Sequence, residues 1–236
     1  MASTTQSTAS KPKPAQSGII RQYLLAYNAV NFFLWSTLTF RTLRLLINQA
    51  IENSLEFDVP AIFAETYTPL LQVTQSLALL EILHSLIGFV RAPLFTTALQ
   101  VASRIFLVWG VLYPFNANII GSDNIGEYAY LGCLLAWGVT ECVRYGFFVM
   151  QVNGGVETVP SWWQWMRYNL FYVLYPIGIS SECVLSVRAL PSAEKLHPLY
   201  WWFIVVVLGI YVPGSYMLYT HMIRQRRKSS KTKKDQ

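Results

Sequence analysis

Six stretches of this chain run for 19 to 25 residues almost without charge: 22–40, 70–90, 94–115, 128–152, 168–187 and 199–223. A bilayer's hydrocarbon core of roughly 30 Å is crossed by about 20 helical residues, so each stretch is long enough to span it. The helices of a soluble all-helical protein would show polar faces at 3.6-residue spacing, and these runs largely lack them. The expected fold is an all-α membrane protein with six transmembrane helices. Composition agrees: hydrophobic residues make up 53% and charged residues only 13%, about half the usual charged share.

Charge placement predicts the orientation. The formal charge is +6, from 18 Lys+Arg against 12 Asp+Glu. Residues 224–236 hold seven basic residues and one acid, so the tail alone carries +6 and residues 1–223 balance at eleven against eleven. A terminal run is not a basic face built into a fold, which argues against a nucleic-acid partner. With the N-terminus in the cytosol, that side receives Lys11, Lys13, Arg21, Arg91, Arg144, Arg167 and the tail cluster. The opposite side receives only Arg41, Arg44, Arg188 and Lys195, while the 116–127 loop has no basic residue and the 48–68 loop is acidic. Both termini are therefore expected in the cytosol. Three regions follow: a polar, disordered leader over 1–18, a six-helix membrane domain over 19–223, and a basic tail over 224–236. Lys233-Lys234-Asp235-Gln236 resembles a di-lysine retrieval signal of the endoplasmic-reticulum membrane.

Several functional classes drop out. Cys133, Cys142 and Cys183 lie in apolar runs without a C-x-x-C pair, against a zinc ribbon, a redox motif or a disulfide framework. No dinucleotide glycine fingerprint and no clustered metal-ligand motif is present, so neither cofactor nor metal is expected. The first three spans do not echo the last three, which weighs against a secondary transporter.

What remains are side chains that hydrocarbon does not tolerate unpaired. Glu81 and His84 lie in the second run, Arg104 in the third, Glu141 and Arg144 in the fourth, and Glu182 in the fifth. Each charge near the midplane costs at least ~2.5–3.5 kcal/mol, so such groups normally face the bundle and pair or react. Glu141 and Arg144, three apart on one helix face, predict a structural ion pair. Glu81 and His84 have the same spacing and suit either a polar seam against Arg104 or a direct role. Gln75, Gln100 and Ser103 offer interhelical hydrogen bonds. In the fifth run, Pro176 and Gly178 predict a broken backbone ladder at membrane depth, of the kind tolerated beside a cavity. Tyr175 and Glu182, seven apart, share nearly one face about 10 Å apart along the axis.

The stretches Ala-Leu-Leu-Glu81-Ile-Leu-His84-Ser-Leu-Ile-Gly88, Gln100-Val-Ala-Ser-Arg104, Trp137-Gly-Val-Thr-Glu141-Cys-Val-Arg144-Tyr145 and Arg167-Tyr168 followed by Tyr175-Pro-Ile-Gly178-Ile-Ser-Ser-Glu182 form one pattern. Together they resemble the very-long-chain (3R)-3-hydroxyacyl-CoA dehydratases, the protein-tyrosine-phosphatase-like membrane dehydratases, over about residues 20–223. The resemblance implies a lyase (hydro-lyase) of the endoplasmic reticulum, acting in the third step of fatty-acid elongation, a route that supplies sphingolipid precursors. A (3R)-3-hydroxyacyl-CoA would lose water to give the trans-2-enoyl-CoA. The implied partners are a condensing enzyme, a ketoacyl-CoA reductase and an enoyl-CoA reductase. The resemblance puts the catalytic pair on Tyr175 and Glu182. Glu81, His84, Arg104, Glu141, Arg144, Tyr145, Arg167 and Gly178 are carried over as substrate-binding or pocket-shaping. Gly138 stands where many relatives have Ser, removing a small polar group.

The chemistry can be argued beside that resemblance. Eliminating water needs a base for the C2 proton and an acid for the departing C3 hydroxyl. A carboxylate suits the first task, and a phenol, protonated at neutral pH, suits the second. Glu182 is thus the expected base and Tyr175 the acid or a group orienting the hydroxyl. Amides at the Pro176–Gly178 break would face the enolate-like thioester oxygen. Arg91, Arg144 and Arg167 would meet the anionic nucleotide of CoA. The rival readings are a catalytically silent scaffold of the elongation enzymes and a small transporter.

Overall fold

A computed structural model describes residues 18–52, 56–90, 92–121 and 124–232, with side chains up to Arg227. The leader through residue 17, Arg91 and the di-lysine stretch at 233–236 lie outside the described residues. All regular structure among the described residues is helical, as expected. Ten α-helices are present: α1 Gly18–Glu52, α2 Val59–Thr66, α3 Gln72–Ser76, α4 Leu79–Leu86, α5 Leu94–Ile105, α6 Tyr113–Ile119, α7 Asn124–Gly154, α8 Ser161–Asn169, α9 Phe171–Leu196 and α10 Pro198–Thr232. Four helical stretches are long and apolar enough to cross a membrane: Leu94–Ile119, Asn124–Gly154, Phe171–Leu196 and Pro198–Arg227.

Helix α1 buries Leu24, Asn28, Asn31, Trp35, Leu38 and Thr42, a seam alternating three and four residues apart that is typical of helix-on-helix packing. Its partner is α7, where Ser36 and Thr39 reach Cys142 at 3.6 and 3.7 Å. Three polar members of the seam turn back onto their own helix. Asn28 and Asn31 donate to the carbonyls of Leu24 and Tyr27 at 2.6 and 2.9 Å, and Thr42 donates to Leu38 at 2.8 Å. Such back-bonding satisfies polar groups where no water is available. At Gly138 the Thr39 hydroxyl occupies the space that a Cβ would need, so the glycine is also where α1 and α7 touch.

The second segment starts earlier than its apolar run suggested. Asp58 caps α2, accepting from the Ala61 amide at 3.0 Å, and the Gln49 side chain accepts from the Asp58 amide at 2.9 Å. The helical path is interrupted at Thr68 (φ −111°, ψ 129°), extended because Pro69 follows it, and again by a turn at Leu77–Ala78. In the third segment α5 runs into α6 through a π-helical stretch, Phe106–Leu112. There the carbonyls of Val108 and Gly110 accept from the hydroxyls of Tyr67 and Tyr200, both at 2.7 Å.

Helix α9 corrects an expectation. It is continuous from Phe171 to Leu196, with Pro176 and Pro191 inside it. Pro176 removes one donor without opening the helix, so the backbone amides around Gly178 belong to the helix and are not turned toward a ligand. The irregular backbone lies instead in the second and third segments. Helix α7 is the hub and the most buried of the four spanning stretches. It packs between α1 and α9, around Trp35, Leu38, Leu107, Tyr130, Trp137 and Leu185.

Candidate active site

On α9, Tyr175, Gly178, Ile179 and Glu182 follow one another at steps of three, one and three residues, so they share one face. All four line a single cavity of about 220 Å³, closed on its other sides by α3, α4, α5, α7, α8 and α10. Gly178 matters by what it lacks. With no side chain there, the space between Tyr175 and Glu182 stays open, and the nearest atoms to an added Cβ would be Ala136 and Trp137 at 3.7 and 3.9 Å.

Glu182 is 5% exposed, and its two oxygens accept from neutral donors: the Trp137 indole at 2.9 Å on Oε1 and the Tyr211 hydroxyl at 2.9 Å on Oε2. The hydroxyl of Tyr175 donates to the Ser215 carbonyl at 3.2 Å, and the residue is half-buried.

The other two carboxylates of the cavity are held differently. The Arg144 guanidinium grips Glu81 with two bonds of 2.7 and 2.8 Å and reaches Glu141 at 2.7 Å through Nε. Arg104 donates to the remaining oxygen of Glu141, and the Tyr145 hydroxyl donates to Glu81 at 2.5 Å. Two arginines thus neutralise two carboxylates in a closed lattice across α4, α5 and α7. The predicted Glu141–Arg144 pair is present. The predicted seam of Glu81 and His84 against Arg104 is not: Glu81 pairs with Arg144, while His84 turns to α1 and meets the Tyr23 hydroxyl at 2.8 Å. His84 and Tyr145 do not line the cavity. No ionic partner binds Glu182 among the described residues. Among the described residues it is the carboxylate of the cavity without a salt bridge.

Arg167 lines the cavity at the end opposite Glu182 on the α8–α9 limb, with its guanidinium 4.2 and 4.6 Å from the Phe147 and Phe148 rings. Its Nε is buried without a hydrogen-bond partner among the described residues. Arg144, by contrast, is occupied by its carboxylates, which removes it from the groups expected to meet CoA. Of the expected interhelical hydrogen bonders, Ser103 donates to Gln100 of its own helix at 3.0 Å, and the Gln75 amide has no partner among the described residues. No group of three or more His, Cys, Asp or Glu suited to a metal occurs among the described residues.

Two site residues escaped sequence reasoning. Trp137 stands inside a quoted stretch, yet an indole in a membrane helix reads as packing. Tyr211 lies on α10, 29 positions from Glu182, and no local spacing could connect them.

Residues 75–232 match the family model described as "Protein tyrosine phosphatase-like protein, PTPLA". A probable very-long-chain (3R)-3-hydroxyacyl-CoA dehydratase of Schizosaccharomyces pombe is 40% identical, covering 89% of this chain and 93% of that protein. The Arabidopsis thaliana very-long-chain (3R)-3-hydroxyacyl-CoA dehydratase PASTICCINO 2 is 34% identical over 93% of this chain and 98% of its own length. Human very-long-chain (3R)-3-hydroxyacyl-CoA dehydratase 2 is 32% identical over 87% of this chain and 80% of its own. No solved structure matches significantly.

Proposed function

The chain belongs to the protein tyrosine phosphatase-like (PTPLA) family of very-long-chain (3R)-3-hydroxyacyl-CoA dehydratases, and from that premise we propose that its cavity removes water from a 3-hydroxyacyl-CoA with Glu182 as base and Tyr175 as acid. The enzyme is a hydro-lyase of fatty-acid elongation. The observation that carries the assignment is the contrast among three carboxylates. Glu81 and Glu141 are hydrogen-bonded and ion-paired to arginine, whereas the hydrogen bonds to Glu182 among the described residues come from an indole and a phenol.

In the step itself, Glu182 takes the C2 proton, and the electron pair of that bond moves toward the thioester, placing negative charge on its oxygen. The charge returns to form the C2–C3 double bond, and the C3 hydroxyl leaves as water with the proton of Tyr175. The proton on Glu182 then passes to the Tyr175 phenolate, restoring both groups. Trp137 and Tyr211 fix the carboxylate plane before reaction, and the open space at Gly178 accommodates the substrate carbons between base and acid. Arg167, stacked on Phe147 and Phe148, takes a phosphate or carbonyl of the CoA arm.

The same reading gives six membrane crossings with both termini cytosolic, in the endoplasmic-reticulum membrane. Two further crossings join the four apolar stretches: α1, about 50 Å long for its 35 residues, and the kinked α2–α4 segment. Arg21, near the start of α1, donates to the Val152 and Asn153 carbonyls at the end of α7, as alternating crossings require. Partnership with the other three elongation enzymes follows from the activity.

The test uses purified full-length protein in detergent with a (3R)-3-hydroxyacyl-CoA, following the enoyl product. Tyr175→Phe should lower kcat by about 10²–10⁴, the usual contribution of a positioned proton-transfer group. Arg167→Ala should raise KM while leaving acyl-chain preference unchanged. Full activity in folded Tyr175→Phe would remove the acid from this scheme.

A further inference from the structure

The mechanism creates negative charge on the thioester oxygen, and the continuous α9 supplies no free amide to receive it. Arginines of the cavity are poor substitutes, since Arg104 and Arg144 are held by Glu141 and Glu81. Among the described residues of the cavity wall, one neutral carboxamide is both fully buried and uncommitted. Gln75 is 1% exposed, it lines the cavity, and neither its Nε2 nor its Oε1 has a hydrogen-bond partner among the described residues.

Such a residue is costly to keep. A buried amide without partners costs about 1–3 kcal/mol in protein contexts, and more in hydrocarbon-like surroundings. A glutamine kept only for packing would be better replaced by leucine or methionine of similar volume. Gln75 also lines the same cavity as Tyr175, Gly178 and Glu182.

We propose that Gln75 is a catalytic residue of this dehydratase: its carboxamide N–H turns to the substrate's thioester oxygen and stabilises the enolate formed when Glu182 takes the C2 proton. This rests on the assignment of Glu182 and Tyr175 and adds the electrophile that their chemistry lacks. A neutral amide suits the task. It strengthens its bond as charge develops on the oxygen, and in a water-excluded site such a donor contributes far more than in solution. Protonation of the enolate oxygen is not required, so no further proton is consumed and the balance of the elimination is unchanged.

The experiment compares wild type, Gln75→Leu, Gln75→Met and Glu182→Gln as full-length protein in detergent, measuring kcat, KM and thermal unfolding with a (3R)-3-hydroxyacyl-CoA. Loss of one oxyanion donor lowers kcat by about 10²–10³ with little change in KM. The expected result is that loss in both Gln75 variants, with Tm equal to or above wild type because an unpartnered amide has left the core. A kcat within about twofold of wild type in either folded variant overturns the proposal. So does a fall in activity that tracks a fall in Tm in both variants, which is the mark of a packing role. If Glu182→Gln is inactive while the Gln75 variants are normal, Gln75 alone is misassigned. If Glu182→Gln is fully active, the base assignment has failed instead.

Discussion

At the scale of single residues, the site separates two carboxylates held by arginine from the one that we propose as the base. Replacing Trp137 or Tyr211 with Phe removes one hydrogen bond from Glu182 and leaves its oxygen less constrained. A buried bond of this kind to a charged group is worth about 1.5–3 kcal/mol, so kcat/KM should fall about 10- to 100-fold in either variant, with the fold retained. Glu141→Ala should act on stability instead, since it leaves Arg104 uncompensated in a buried lattice. Breaking a buried pair typically costs about 3–5 kcal/mol, which thermal unfolding in detergent would register before any kinetic assay. That Tyr175 and Glu182 share one face was legible in the sequence because both sit on one helix, where spacing converts directly to geometry. Glu81 and His84 show the limit of that conversion. Their three-residue spacing is compatible with a shared face, yet one side chain reaches α7 and the other α1, because the neighbours choose between the directions available. Tyr211 had no local signal at all: its link to Glu182 exists only once α9 and α10 are packed.

At the scale of elements, apolar run length predicted the helices well but not their irregularities. The sequence predicts a break at Pro176, and α9 passes through it; the second apolar run begins at residue 70, and helix precedes it. The physical difference lies in the residue before each proline. Thr68 adopts the extended conformation that a following proline favours, whereas Tyr175 remains helical and packs its ring 5.8 Å from that of Tyr219. The π-helical stretch of the third segment left no sequence mark, because its carbonyls are claimed by tyrosines from distant helices. The α6–α7 connection offers a direct check. A Cβ on Gly126 would press on the Ile119 backbone carbonyl at 2.5 Å, which cannot swing aside as a side chain could. Gly126→Ala should therefore destabilise the protein by about 1–3 kcal/mol, the range for overpacking, and lower Tm accordingly. Gly155→Ala, with no atom within 4 Å of the new Cβ, introduces no such overlap, and only backbone strain at its positive φ remains.

At the scale of the whole molecule, a helical body encloses a cavity in which, among the described residues, Glu81 and Glu141 are ion-paired and Glu182 is not. The proposed topology puts residues 87–93 and 154–160 on the cytosolic side and residues 53–58 and 120–123 on the other. Single cysteines introduced there in a cysteine-free background should react with a membrane-impermeant thiol reagent in sealed microsomes only at 87–93 and 154–160. Labelling at 120–123 under the same conditions contradicts the orientation. The central claim is chemical, and it rests on Glu182. Its most direct measurement is single-turnover dehydration of a (3R)-3-hydroxyacyl-CoA by Glu182→Gln, whose unfolding temperature is first matched to wild type. The account predicts a loss of at least about 10²-fold in the rate of enoyl formation, because the amide cannot take the C2 proton. A rate within about threefold of wild type would contradict it.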